Sequence, residues 1–212
     1  MKKENQKALI LIIAIVLFES ITYLLAKLSP FEPTLLISNL DNKLPLIKEF
    51  VIFYVLWYLY LFLLPYLFFK LDKSKYFKYL AVTSICIVIS FFIFFFYPTT
   101  IIRGNIELSN NPFAFILKLI YLIDTPVLNC LPSMHCALSM ILLVLITKTC
   151  NLKKSYKIII NLTLILIIIS TLLIKQHVIY DALVAIVIVV ISFIINKIIK
   201  LDLKIAKYFN KK

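Results

Sequence analysis

A chain of 212 residues could form one soluble domain, but 63% hydrophobic content and a mean hydropathy of +1.02 exclude a water-facing exterior. The net charge is +13, almost all of it lysine, with Arg103 the sole arginine. These cations flank apolar runs, so they report membrane topology and attraction to anionic headgroups and leave nothing for a nucleic-acid partner to explain.

In chain order, apolar runs at 8–28, 46–69, 77–97, 131–147, 158–174 and 178–199 predict six transmembrane helices, the fourth of them short. The expected fold is all-α: residues 1–212 as one polytopic membrane domain. The first run follows "MKKENQK" and resembles a signal peptide, but no A-x-A cleavage site follows it, so an uncleaved span is expected. One Gly against 17 Phe and 12 Tyr argues against close GxxxG crossings and for packing through larger side chains. Lysines crowd the N-terminus, the 70–78 and 148–157 loops and the tail to Lys212. Only Lys27, Lys43, Lys48, Arg103, Lys118 and Lys175 fall on the other side. The positive-inside rule therefore expects both termini in the cytoplasm.

Polar residues interrupt this pattern mainly on the expected outer side. In "YPTTIIRGN", Pro98 ends a helix and Gly104 brings backbone freedom. Arg103 presents a planar fork of donors suited to phosphate, which lysine cannot reproduce; the plain alternative is an interfacial anchor. In "LPSMHCALS", Pro132, Ser133 and His135 are expected in the first helical turn, where free N–H groups suit an anion. His135 there is either a proton carrier or a headgroup contact. In "STLLIKQHVIYDALVAI", His177 and Asp181 are four apart. Either the carboxylate orients the imidazole for attack, or Asp181 caps the sixth span and His177 lies in the loop. Both histidines, the lone Arg and the lone Gly all fall in these three segments, on one expected face.

Cys86, Cys130, Cys136 and Cys150 show no CxxC spacing, so no metal site is expected and the thiols read as small buried hydrophobes. Glu19 lies inside the first span, with Ser20 and Thr22 near enough to solvate it.

The three segments resemble the motifs of the type 2 phosphatidic acid phosphatase superfamily, K-x6-R-P, P-S-G-H and S-R-x5-H-x3-D. The matching stretches are "RG" at 103–104, "PSMH" at 132–135 and "STLLIKQHVIYD" at 170–181. "LDNKLPLIKEFVIFYVLWY" resembles bacterial members more weakly. The family's Lys would stand at Phe96, its Pro at Gly104, its Gly at Met134 and its second Arg at Thr171. Relatives of inositol phosphorylceramide and sphingomyelin synthases likewise keep the His/His/Asp set without that second Arg. If its segment is helical, Lys175 sits one turn after Thr171 and leans over it, in place of the missing Arg.

The resemblance implies a cofactor-free, metal-independent phosphoryl transfer at the outer face of a bacterial cytoplasmic membrane. His177, oriented by Asp181, would attack phosphorus, and His135 would protonate the leaving group. Arg103, Ser133 and Lys175 would hold the phosphate. The implied partner is a membrane lipid phosphate within the bilayer. Transfer of a headgroup to a lipid alcohol and a catalytically silent scaffold are the alternatives.

Overall fold

The computed structural model describes residues 2–106, 111–149 and 151–211; Cys150 and Lys212, both assigned above to the cytoplasmic side, lie outside the described residues. Five helices are long and apolar enough to cross a membrane: α1 (Lys2–Ala26), α3 (Val51–Leu71, entered through a 3-10 turn at Lys48–Phe50), α4 (Lys73–Phe96), α7 (Lys154–Leu173) and α8 (Ile179–Ile199). A helix rises about 1.5 Å per residue, so some 20 residues match a hydrocarbon layer of about 30 Å. Their outward faces carry large apolar side chains such as Ile10, Leu59, Phe92, Leu162 and Val187. That is the pattern of a bundle whose solvent is lipid.

The run 131–147 differs from the expectation of a spanning helix. It forms α6 (Met134–Thr147), 14 residues that cover only about 21 Å. Ser133 is its N-cap, with Oγ accepting from the Cys136 N–H at 3.3 Å, so Pro132 precedes the helix instead of opening it. α6 packs against α3, α4, α7 and α8, and most of its side chains are buried. A helix enclosed by longer ones need not reach both headgroup layers, because its ends are satisfied by protein.

Three short helices complete the chain. α2 (Asn39–Lys43) is closed by a capping box between Ser38 and Asp41. α5 (Pro112–Ile123) starts at an Asn111 cap with proline in its first turn. α9 (Leu201–Phe209) follows a left-handed residue, Lys200, and packs along α4. Phe209 sits among Phe69, Tyr76 and Phe77, with ring centroids 5.3 to 6.4 Å away.

With one glycine available, crossings use large rings or alanine. Phe68, Tyr76 and Tyr79 are fully buried, as are Ala81, Ala137 and Ala185. The Tyr76 hydroxyl donates to the Ala8 carbonyl at 2.9 Å, tying α1 to α4. Left-handed turns likewise fall to Asn129, Lys175 and Lys200. Gly104 does not adopt a positive φ, and an added Cβ would meet only Leu46 Cδ2, at 3.4 Å. The backbone freedom expected of it is not used.

The connections gather at one end of the bundle. β1 (Thr34–Leu35) pairs in parallel with β2 (Thr99–Thr100), and the Ile47 N–H donates to the Leu173 carbonyl at 2.9 Å. At the other end Lys73 meets Glu4 at 3.3 Å, Lys70 meets Asn5 at 2.9 Å and Lys78 meets Asp202 at 3.8 Å.

Candidate functional site

The turn between α7 and α8 places the first pair. α7 ends at Leu173, Lys175 reverses the chain at φ 55°, and the N–H groups of Gln176 and His177 both donate to the Thr171 carbonyl at 3.0 Å. α8 begins two residues after His177, which puts Asp181 in its first turn. Asp181 Oδ2 accepts from His177 Nδ1 and from the Val178 N–H, each at 3.0 Å. One oxygen thus caps the helix and holds the imidazole, with His177 itself in the loop before α8. With Asp181 ionised, its carboxylate only accepts, so Nδ1 carries the donated hydrogen and the neutral ring then has its lone pair on Nε2. Asp181 is fully buried, the His177 side chain is 11% exposed, and Nε2 has no partner among the described residues.

The second histidine arrives from α6. The His135 ring stacks on Trp57 at 3.9 Å and on Tyr54 at 4.2 Å, with Tyr58 edge-on at 6.0 Å. Stacked aromatic pairs contribute about 0.5–1.5 kcal/mol each beyond burial, enough to hold a ring in one plane. The His135 and His177 centroids are 6.1 Å apart. His135 Nε2 is buried without a hydrogen-bond partner. The register of α6 is locked to α8 by the Ser133 N–H, which donates to the Asp181 carbonyl at 3.2 Å.

The expected phosphate ligands are placed differently. The Arg103 fork is engaged within the protein. NH2 donates to Asp124 Oδ2 and Gln176 Oε1, and NH1 donates to the carbonyls of Tyr121 and Asp124 at 3.1 and 3.2 Å. Only Nε is left buried and unpaired. Lys175 is not helical and does not lean over Thr171. Its Nζ donates to the carbonyls of Asp41 and Leu44 at 2.8 and 2.7 Å, closing the C-terminal end of α2. Ser133 is fully buried and its hydroxyl is taken up by the α6 cap.

Two cavities meet at His177. The smaller, about 240 Å³, is lined by Arg103, Gly104, Lys175, Asp41, Asn42 and apolar neighbours. The larger, about 480 Å³, runs between α1, α3, α5 and α6 and is lined by His135, Gln176, Trp57, Tyr58, Asp124 and Glu19 among others. Of the six residues singled out from the sequence, His135 and His177 share the larger cavity, while Arg103 and Lys175 join His177 at the smaller. Asp181 stands behind His177, and Ser133 lines neither cavity.

Sequence reasoning missed Asp41, Asp124 and Gln176. Asp41 Oδ1 accepts from the Ile179 N–H at 2.9 Å while Oδ2 accepts from Ser38, so α2 is docked onto the start of α8. Asp124 accepts from Tyr23 at 2.8 Å and Lys27 at 3.4 Å as well as from Arg103. With only 10 acids in the chain, an acid ending the apolar run "ILKLIYLID" is the one available signal for a partner to the lone arginine.

Cys86, Cys130 and Cys136 are free and buried. Cys130 lies beside the larger cavity; burial, with Asp181 and Asp124 nearby, pushes its thiol up, so it stays neutral. Among the described residues no group of three or more His, Cys, Asp or Glu is gathered as metal ligands. Compared with protein-family models, with curated proteins and with solved structures, the chain matches none.

Proposed function

We propose that this chain is a metal-independent lipid phosphatase acting through a phosphohistidine, as its resemblance to the type 2 phosphatidic acid phosphatases implies. The observation that carries the reading is the meeting of the chain's only two histidines, 6.1 Å apart beside one cavity, with His177 Nδ1 held by a buried carboxylate. A free Nε2 lone pair is what an attacking imidazole requires, and a second imidazole at this distance is within reach of the leaving oxygen across a phosphoryl group.

The steps balance as follows. His177 Nε2 forms a bond to phosphorus as the bond to the leaving oxygen breaks on the opposite side. His135, once a bound phosphate supplies the negative charge that favours its imidazolium, gives that oxygen its proton. Neutral His135 then takes a proton from water, whose oxygen attacks phosphorus and frees His177. Acid–base assistance of this type is worth about 10²–10⁴-fold. Charge on the equatorial oxygens is balanced by Arg103 and Lys175 from the smaller cavity. Since the Arg103 fork already holds Asp124 and Gln176, substrate phosphate either uses Nε or displaces the carboxylate. Ser133 acts through the α6 cap and not as a direct ligand.

In this reading the five spanning helices and α6 form a six-helix bundle with both termini cytoplasmic. The lysine-rich end faces inward and the histidines face the outer leaflet of a bacterial cytoplasmic membrane. The substrate is then a lipid phosphate reached from that leaflet: a phosphomonoester or diphosphate such as phosphatidic acid, phosphatidylglycerophosphate or undecaprenyl diphosphate.

Two cavities meeting at one histidine favour a second reading, transfer of the phosphoryl-bearing headgroup to a lipid alcohol seated opposite the donor. Phosphate release from a panel of lipid phosphates, with EDTA and with added alcohol, tests both. EDTA-resistant release with a bell-shaped pH–rate curve is expected. Transfer only when alcohol is present supports the second reading, and no reaction with any donor leaves a silent scaffold.

A further inference from the structure

Glu19 has no place in the phosphoryl-transfer scheme, yet it lies on the wall of the larger cavity. It stands about two turns before Ala26, the last residue of α1, so about 10 Å below the end of that helix. Ser20 and Thr22, the hydroxyls nearest in sequence, do not solvate it. They donate to the carbonyls of Val16, Phe18 and Glu19 itself. Nor is a counter-ion at hand. The cations nearest this end, Lys27 and Arg103, are both held by Asp124. Among the described residues no hydrogen bond or ion pair reaches the Glu19 carboxylate. As a carboxylate, an acid kept at that depth is costly unless it meets a partner, and no described residue supplies one.

The cavity around it has the make-up of a cation site. Tyr54, Trp57 and Tyr58 also line it. Tyr54 and Trp57 each give a face to the His135 ring, so Tyr58, the most exposed of the three, is the ring best placed to attract an ammonium group electrostatically. Of the two acids that line it, Asp124 is held by Lys27 and Arg103, which leaves Glu19 as the unpaired acid among the described residues. At about 480 Å³ it falls in the range of about 300–1,000 Å³ usual for small-molecule pockets. Leu24 and Ile123, both outward-facing apolar residues of α1 and α5, also line it, which gives an alkyl chain a way out toward lipid.

We propose that this cavity binds a membrane amphiphile carrying an ammonium group, a long-chain amine or amino alcohol, with Glu19 as the counter-ion and Tyr58 as the aromatic surface. The binding does not depend on the phosphatase reading. Where that reading holds, a clause follows that rests on it: the preferred substrate is a lipid phosphate whose alcohol bears an amine, because His135 and His177 line the same space.

Trp57 is the only tryptophan, so its fluorescence reports occupancy without turnover. The full chain in zwitterionic nanodiscs is titrated with a long-chain amino alcohol and with the alcohol of equal chain length. Saturable change with the amine at about tenfold lower concentration than the alcohol is expected. Glu19→Gln should bring the two together, and Glu19→Asp should keep them apart. Equal midpoints for amine and alcohol in the unaltered protein overturn the proposal, whether or not the variants fold. So does a preference that survives Glu19→Gln. Phosphate release, read in parallel, separates the two ideas. Amine binding without release of phosphate from any lipid keeps this site and removes the phosphatase; release with no amine preference does the reverse.

Discussion

Asp181 Oδ2 accepts from both the His177 imidazole and the Val178 amide, so one atom carries a structural and a chemical duty. The duties separate in Asp181→Asn. An amide oxygen still caps the helix, but it no longer holds the Nδ1-protonated tautomer with the same charge. The variant should fold with a near-normal thermal midpoint and lose about 10²–10⁴-fold in kcat on lipid phosphates. A parallel loss of stability and activity would mean that the carboxylate serves the cap alone. The histidines and this acid were legible in the sequence because their types are rare here and their spacing is local. Arg103 was legible as an oddity, but its partners were not. Asp124 and Gln176 lie 21 and 73 residues away, and no local pattern reports a pairing over that span. Gly104 drew notice for a freedom it does not use, so Gly104→Ala should leave thermal stability unchanged or slightly raised, by at most about 1 kcal/mol.

Among the elements, α2 is the least expected and the most tightly tied to the site. Five residues form it, yet Asp41 caps the start of α8 and Lys175 closes its end. The α7–α8 turn that carries His177 is thereby clamped from outside. Lys175→Met removes two charge-assisted bonds worth about 1.5–3 kcal/mol each at most, less whatever water restores. The variant should lower the thermal midpoint and reduce kcat, through loosened placement of His177 and the loss of a positive charge beside the phosphoryl group. Unchanged kcat with a lowered midpoint would make Lys175 a clamp without reach into the chemistry. Apolar periodicity located the long helices within a few residues. It overstated α6, because an apolar run can be opened at Leu131 across Pro132, whereas the Ser133 cap decides where the helix starts. It passed over α5, a run of only 12 residues interrupted by Lys118.

For the whole molecule, the two ends of the bundle differ in what they carry. One end holds the strand pair, α2 and both histidines; the other holds Lys70, Lys73, Lys75 and Lys78. If the lysine-rich end is cytoplasmic, Lys43→Cys should react with a membrane-impermeant maleimide applied to intact cells, and Lys73→Cys should react only after lysis. The reverse pattern would invert the site to the inner face and change which lipids can reach it. The proposed mechanism stands on one bond, between His177 Nε2 and phosphorus. The direct measurement is alkaline-quench trapping with a lipid phosphate labelled in its phosphoryl group, followed by mapping of acid-labile, base-stable label on the protein. Label on the His177 peptide, absent in His177→Gln, is the predicted result. Phosphate release by His177→Gln at the rate of the unaltered protein would contradict it.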